Sequence, residues 1–322
     1  MSVNKINKQM CVEKYARRCA ICGSNINTVV RKLNKINASE HLSNLILLCE
    51  ECNSGADSIS DAEERNRVGV VLCGGKGTRL YPITINFNKH LLPLALSHMI
   101  TYPVRTLRRL GIKRVLIVVD RESGSKIIEV LGSGSAYGME FTYRIQDGAN
   151  GIADALYLAK DFVKPDDKIF CILGDNIFDN NQLDPDFELA QDNLACVFVK
   201  EISNPKDYGV AVIKNNRIIK IIEKPNNFVS NLGVLGLYVY TNQVFEIIEK
   251  IKPSKRGELE ISDINHFYAN SGVLQHQVVK GYWADCGGSI QRYTEASMYG
   301  AKEAKVSAEE IDSFRAIVFD DK

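Results

Sequence analysis

Residues 70–82 read VVLCGGKGTRLYP, and this stretch decides the fold. A short apolar run ends in three glycines within four positions, and a threonine and an arginine follow them. Glycines permit positive φ angles and let backbone N–H groups approach phosphate oxygens closely. In an open parallel sheet, ligands collect at the carboxyl ends of the strands, where such a loop leaves its strand. The stretch therefore predicts a buried strand followed by a phosphate-binding loop.

Two familiar phosphate motifs do not fit this loop. A Walker loop requires the pattern GxxxxGK[ST], which does not occur in the sequence. A dinucleotide fingerprint requires a third glycine at the position where Leu80 stands. Tight turns also use glycine, so the loop by itself is weak evidence for phosphate binding.

Strand and helix patterns alternate on both sides of this loop. Apolar runs at 67–72, 113–120 and 168–175 predict strands, whereas 99–111 and 152–161 have helical patterns. This alternation predicts an α/β fold with a mixed, mostly parallel, Rossmann-like sheet and flanking helices. After residue 190 the pattern becomes strand-rich, which predicts an extra sheet layer added to that core.

Composition places the chain in an ordinary class of globular protein. Of its 322 residues, 45% are hydrophobic and 25% are charged, and the formal net charge is +1. That balance creates no global field that would attract nucleic acid or an anionic membrane. No apolar stretch approaches the roughly 20 residues of a spanning helix, and the first residues contain no apolar signal core. We expect a cytoplasmic protein that does not bind membranes.

Cysteines concentrate near the N-terminus, where five of the nine fall within the first 52 residues. Two Cys-x-x-Cys pairs, Cys19 with Cys22 and Cys49 with Cys52, have the spacing of zinc knuckles. Four thiolates complete a tetrahedral Zn²⁺ site, and such a site can stabilise a segment too short for its own core. Chance clustering of buried cysteines is the alternative. We predict a zinc-binding module over residues 1–67 and a second domain over residues 68–322.

The N-terminal segment resembles the zinc-supported HNH endonucleases and their treble-clef arrangement. The histidine that activates water in that family is expected within TVVRKLNKI at 28–36, and none is present there. The module is therefore predicted to be structural rather than nucleolytic. Its basic first half could contact nucleic acid, but a solvated face is the favoured interpretation, and its partner stays open.

Six ordered strings between residues 68 and 300 resemble the sugar-nucleotide pyrophosphorylases, specifically the glucose-1-phosphate thymidylyltransferases. The strings are the glycine loop continuing to NKHLLP at 88–93, LGDNIF at 173–178, YGV at 208–210, IEKP at 222–225, RGELEISDIN at 256–265 and WADCG at 283–287. The resemblance implies a nucleotidyltransferase core. It also implies a reaction between a nucleoside triphosphate and a sugar 1-phosphate that yields a nucleotide sugar and pyrophosphate.

The resemblance also implies roles for the charged residues of these strings. Asp175 and Asp285 would bind Mg²⁺, a cation that prefers hard oxygen ligands. Arg79 would contact the departing pyrophosphate and Lys89 would add positive charge nearby. These four residues are the candidate catalytic set.

Substrate contacts follow from the same resemblance. Tyr208, Gly209, Glu223 and Lys224 would hold the sugar and its phosphate. Nucleotide contacts would come from Leu72, Gly74, Gly75, Gly77, Thr78, Arg79, Gln146, Gly151 and Asp175. Gln146 would pair with the pyrimidine edge, but the DGAN stretch at 147–150 departs from the family pattern and leaves thymine or uracil open.

Two functions of different classes are consistent with these observations. The first is an active transferase, most simply of dTTP and α-D-glucose 1-phosphate, with UTP or another sugar phosphate as the alternative. The second is a zinc-bearing interaction protein that keeps an idle transferase fold as a scaffold. Retention of every charged catalytic position favours the enzyme. A homo-oligomer is compatible with either function.

Overall fold

The computed structural model describes residues 66–179 and 183–304, together with residues 9, 11, 12, 19, 28–32 and 45–49. In the N-terminal segment, strand β1 (Thr28–Lys32) pairs antiparallel with strand β2 (Leu45–Cys49), which places Thr28 opposite Cys49. Cys19 and Cys49 are both buried. The other two predicted zinc ligands, Cys22 and Cys52, lie outside the described residues, so the four-cysteine site stays a prediction.

The rest of the described chain is a mixed α/β structure. Its elements are, in chain order, β3 (Arg67–Cys73), β4 (Pro93–Leu94), β5 (Ser97–His98), α1 (Thr101–Arg109), β6 (Arg114–Asp120), α2 (Gly124–Leu131), β7 (Glu140–Gln146), α3 (Ile152–Tyr157), β8 (Lys168–Leu173), β9 (Asn176–Phe178), β10 (Ala195–Glu201), β11 (Gly209–Lys214), β12 (Arg217–Glu223), β13 (Leu232–Tyr240), α4 (Val244–Ile248), α5 (Ile261–Asn270), β14 (Leu274–Val278), β15 (Trp283–Asp285) and α6 (Ile290–Glu303).

Strand β3, which the opening stretch predicted, is central to the sheet. It is parallel to β6 on one side and to β8 on the other, and all seven of its residues are buried. A parallel strand covered on both faces reads as a continuous apolar run because neither face meets water. The predicted parallel core is thereby confirmed.

Nine strands form one sheet in the order β12-β11-β13-β8-β3-β6-β7, with β10 paired to β13 and β14 paired to β10. The prediction of a separate layer after residue 190 was wrong. Strand β13 pairs antiparallel with β8, with Tyr240 opposite Ile169, so the later strands extend the existing sheet. Because β13 is antiparallel to β8, the whole sheet is mixed.

Helices cover both faces of the sheet, and alternate side chains of β3 point into different cores. Val71 packs with residues of α1 and α2, including Leu107, whereas Val70 packs with residues of α3 and α5, including Ile264. Helix α1 approaches β3 closely at Gly69, where a Cβ would lie 2.8 Å from Leu107 Cδ1. Packing in these two cores holds β3 and its neighbouring strands in place, and with them the loops at their carboxyl ends.

A small antiparallel pair, β9 with β15, lies beside the carboxyl end of β8. Helix α6 follows β15 directly. Among the helices of the described chain, none has the length and apolar character needed to cross a membrane.

Candidate active site

The glycine loop leaves β3 at Cys73 and turns through residues with positive φ. Gly75 has φ of 103° and Gly77 has φ of 63°. A Cβ at Gly77 would lie 3.0 Å from Thr84 Cγ2 and 3.1 Å from Lys89 Cβ, and Thr84 Oγ1 donates to the Gly77 carbonyl at 2.8 Å. These contacts require glycine at position 77 and direct the chain into a short 3-10 helix that carries Arg79.

A cleft of about 330 Å³ opens where this loop meets the carboxyl ends of β7 and β8. Most of the residues predicted for the site line it. They are Leu72, Gly74, Gly75, Arg79, Lys89, Gln146, Gly151, Asp175, Tyr208, Gly209, Glu223, Lys224 and Asp285. Gly77 and Thr78 do not line the cleft; Gly77 shapes the loop from behind.

The two acidic candidates are brought together by the small β9–β15 pair. Asp175 immediately precedes β9, Asp285 ends β15, and Asn176 lies opposite Asp285 in the antiparallel register. The Cys286 N–H donates to the Asp175 carbonyl at 2.9 Å. A Cβ at Gly287 would collide with Asp175 Oδ2, so glycine follows the second carboxylate for a steric reason.

Asp175 is held by two donors. Lys89 Nζ donates to Asp175 Oδ2 at 2.5 Å, and Asn176 Nδ2 donates to Asp175 Oδ1 at 3.1 Å. Burial alone would raise the pKa of Asp175, but the charge of Lys89 prevails and holds that pKa at about 2. Burial alone would lower the pKa of Lys89, yet Asp175 raises it above its usual value. Asp175 and Lys89 therefore form a buried ion pair.

The pKa of Asp285 is shifted in the opposite direction, upward. Burial, and after it the negative charge of Asp175, raise the pKa of Asp285 to about 6. The positive charges of Lys89 and of two arginines reduce this shift without cancelling it. An extra cation beside the two carboxylates would relieve their repulsion.

This donor set fits Mg²⁺. Carboxylate oxygens are hard ligands, and Mg²⁺ keeps several water molecules and commonly takes only one or two carboxylates from the protein. In the parts of the chain that the structure describes, no cluster of three or more His, Cys, Asp or Glu side chains suits a metal. Two carboxylates with substrate phosphates and water would complete such a site, whereas a dedicated protein cage is absent from those parts.

A hydrogen-bond network anchors the segment that carries Lys89. Asn88 Nδ2 donates to Asp120 Oδ2 at 3.0 Å and to Ser123 Oγ at 2.9 Å. Asn88 Oδ1 must therefore accept, and it receives the His90 backbone N–H at 2.9 Å and the His90 Nδ1–H at 2.8 Å. Burial lowers the pKa of His90 to about 3, so its ring is neutral. The lysine thus projects from an immobilised turn.

Glu223 and Lys224 lie across the cleft, at the end of β12. The Lys224 N–H donates to the Tyr208 carbonyl at 3.0 Å, and Lys224 has a positive φ of 41°. A Cβ at Gly209 would lie 3.1 Å from Glu223 Oε2, so glycine leaves room for that carboxylate. Each of the two charged side chains is 35% exposed and can reach a ligand in the cleft.

Arg292, on α6, was missed by the sequence analysis. Its guanidinium pairs with Asp207 at 2.8 Å, lies 3.8 Å from Asp285 Oδ2, and sits 5.0 Å from the centre of the Tyr208 ring. An arginine on an amphipathic helix normally faces solvent, so the sequence carried no signal for this contact. These contacts link α6 to Asp285 and also to Asp207 and Tyr208.

Other cleft residues were also missed. Trp283 Nε1 donates to Asn176 Oδ1 at 2.8 Å, and its ring packs edge-on to Tyr208. As the only tryptophan of the chain, within the WADCG string, it was a detectable signal. Further lining residues that were not predicted include Glu258, Tyr238, Ile152 and Asp207.

Comparison with known proteins shows which family the chain resembles. The family model described as "Nucleotidyl transferase" matches residues 68–303. A glucose-1-phosphate thymidylyltransferase of Neisseria meningitidis is 38% identical over 224 residues, which are 68% of this chain and 77% of the relative. One from Mycobacterium tuberculosis is 36% identical over 223 residues, with the same two coverages.

Solved structures extend the likeness to three dimensions. A Bacillus anthracis protein described as a glucose-1-phosphate thymidylyltransferase, crystallised with sucrose, superposes with a TM-score of 0.66 at 39% identity, covering 75% of this chain and 96% of that one. A UDP-glucose pyrophosphorylase in complex with UDP-glucose superposes with a TM-score of 0.62 at 25% identity, covering 74% and 99%.

Proposed function

The chain belongs to the nucleotidyl transferase family and is a nucleotidyltransferase, and from this premise we propose that it joins dTTP to α-D-glucose 1-phosphate. The products are a deoxythymidine diphosphate sugar and pyrophosphate. The observation that carries the proposal is the convergence of Asp175 and Asp285 beside Lys89, across a cleft from Glu223 and Lys224. Relatives named for this reaction support the choice of substrates.

The residues divide the reaction between two ends of the cleft. At one end, Lys224 binds the phosphate of the sugar 1-phosphate and Glu223 accepts hydrogen bonds from sugar hydroxyls. At the other, Arg79 and Lys89 bind the β- and γ-phosphates and stabilise the pyrophosphate as it leaves. The sugar phosphate oxygen attacks the α-phosphorus in line, so the protein contributes mainly positioning and charge.

We propose that Asp175 and Asp285 hold Mg²⁺ in this reaction. When bound, the cation neutralises the phosphates that must approach one another. Within the chain itself, Asn176 orients Asp175, and Arg292 restrains Asp285 from the side of α6.

A panel of nucleotides and sugar phosphates tests the proposal. Purified protein with ample Mg²⁺ should release pyrophosphate fastest with dTTP and glucose 1-phosphate. Faster release with UTP would establish the alternative that the UDP-glucose pyrophosphorylase structure suggests. Absence of release with every pair would refute the enzyme and favour the scaffold.

For the N-terminal segment we propose a structural Zn²⁺ bound by Cys19, Cys22, Cys49 and Cys52. The pair spacing supports this, as does the burial of Cys19 and Cys49, the latter at the end of β2. The purified protein should contain about one zinc per chain, as one four-thiolate site requires. Finding no zinc, or an unchanged content in Cys19→Ser, would refute this proposal.

A further inference from the structure

The amide of Gln146 is held in one orientation. Gln146 ends β7, lines the cleft and is only 8% exposed. Its Nε2 donates to Asp154 Oδ2 at 2.7 Å and to the Gly151 carbonyl at 3.1 Å. Asp154 lies in the first turn of α3, directly behind the loop that follows β7.

The chemistry of these two partners excludes the flipped amide. A carboxylate and a carbonyl oxygen can only accept hydrogen bonds. Rotating the amide by half a turn would place Gln146 Oε1 against both acceptors and would lose both bonds. The orientation therefore follows from the network, and the charged partner, Asp154, makes the larger contribution because hydrogen bonds to ionised groups are the stronger ones.

The locked amide presents its oxygen to the cleft. Gln146 Oε1 lies 3.3 Å from the position that a Cβ on Gly74 would occupy, beside the first glycine of the phosphate loop. Among the described residues, none donates a hydrogen bond to this oxygen. A ligand that fills the cleft next to Gly74 thus meets a fixed acceptor and must offer a donor.

We propose that Asp154 is a positioning residue that determines base selectivity, by fixing Gln146 as an acceptor that selects a pyrimidine with an imide N–H. Thymine and uracil carry that N–H between two carbonyl groups, whereas cytosine has a lone pair at the same ring position. The two ring types have nearly the same shape, so the polarity of one hydrogen bond separates them. The inference rests on the proposed nucleotidyl transfer and adds Asp154 to the residues on which its base recognition depends.

The magnitude of the selection follows from the cost of an unsatisfied buried acceptor. Placing the cytosine lone pair against Gln146 Oε1 loses one hydrogen bond and opposes two acceptors. A site that hydrogen-bonds its substrate rejects an analogue that cannot complete the bond, by at least about 100-fold. The locked amide rejects cytosine in this way without any steric contact.

Binding and turnover are measured with the full-length protein in Mg²⁺, using dTTP, dCTP and a dTTP methylated at the imide nitrogen. The dissociation constants come from quenching of Trp283 or from calorimetry, without a sugar phosphate. The wild type should bind dTTP at least about 100-fold more tightly than either analogue. Comparable binding of dTTP and dCTP to the wild type would overturn the proposal, and this measurement requires no variant to fold.

The variant Asp154→Asn removes the lock, because an asparagine amide can donate to Gln146 Oε1 and tolerate the flipped orientation. The ratio of dTTP to dCTP affinity should fall by at least about tenfold, mainly through a gain in dCTP binding. Asp161→Asn is the matched control, since Asp161 follows α3 and its side chain is 85% exposed. It should keep the wild-type ratio.

The outcomes separate the two proposals. Tight, imide-selective binding of dTTP without pyrophosphate release would refute the proposed function and leave the base selection intact. Turnover with an unchanged dTTP-to-dCTP ratio in folded Asp154→Asn would refute the role of Asp154 alone. A merely structural role of Asp154 would weaken both nucleotides equally, which would also overturn the inference.

Discussion

Replacing Lys89 with methionine should destabilise the protein because it leaves a buried carboxylate unpaired. Lys89 Nζ lies 2.5 Å from Asp175 Oδ2, and the two side chains are only 16% and 10% exposed. The pKa of Asp175 falls from an ordinary 3.8 to about 2, which corresponds to about 2 kcal/mol of folding free energy. Removing Lys89 also leaves the charge of Asp175 buried and unpaired. We therefore expect the free energy of unfolding to fall by about 3 kcal/mol.

The pH dependence of this contribution has a definite sign. Because the folded pKa of Asp175 lies below the unfolded value, its stabilising effect is complete above about pH 4 and is lost as the pH falls toward 2. In Lys89→Met, burial without the lysine should raise the pKa of Asp175, so lowering the pH from neutrality should relieve part of the defect. The two proteins should therefore converge in stability under acid conditions.

The assay is urea unfolding without Mg²⁺, followed by the fluorescence of Trp283. Lys76→Met is the matched control, because Lys76 is an exposed lysine of the same loop. Asp175→Asn, alone and combined with Lys89→Met, completes a double-mutant cycle. Lys89→Met should unfold at a much lower urea concentration, and the double variant should recover much of the loss. Equal midpoints for Lys89→Met and Lys76→Met, or a coupling energy near zero, would refute the reasoning.

Three further variants address turnover. Arg79→Ala should lower kcat/KM by about 100-fold with little change in stability, since Arg79 is exposed and its proposed role is to bind phosphate; an unchanged kcat/KM would contradict that role. Arg292→Met should raise the Mg²⁺ concentration needed for half-maximal rate by about tenfold, because it frees Asp285 and Asp207; an unaltered Mg²⁺ titration would contradict this. Gly209→Ala should raise KM for the sugar phosphate several-fold at constant kcat, because its Cβ displaces the Glu223 carboxylate; a KM rise for the nucleotide instead would place the sugar elsewhere.

Local patterns predicted the parts of this fold that depend on local chemistry. The apolar run of β3 and the glycines after it indicated a buried strand with a phosphate loop, and both Gly75 and Gly77 have the positive φ that such a turn requires. Pairing between strands that are far apart in the sequence was harder to predict. The pairing of β13 with β8 depends on tertiary contacts, so the sequence suggested a separate layer where the structure extends one sheet.

The candidate site divides in the same way. Asp175 and Asp285 stood in recognisable strings, and the β9–β15 register brings their backbones together. Arg292 and Asp154 stood in no such string, and their contacts arise only when α6 and α3 dock beside the cleft. Gly77 lies outside the cleft lining, where its positive φ shapes the loop, and its contact with the nucleotide stays a prediction.

The β9–β15 pair has a consequence for how the protein is made. A ribosome delivers the phosphate loop early and Asp285 only after most of the domain has emerged. Until β15 joins β9, a nascent chain carries Asp175 and Lys89 but lacks the second carboxylate of the cleft. The two carboxylates of the proposed Mg²⁺ site therefore meet only when synthesis of the domain is nearly complete.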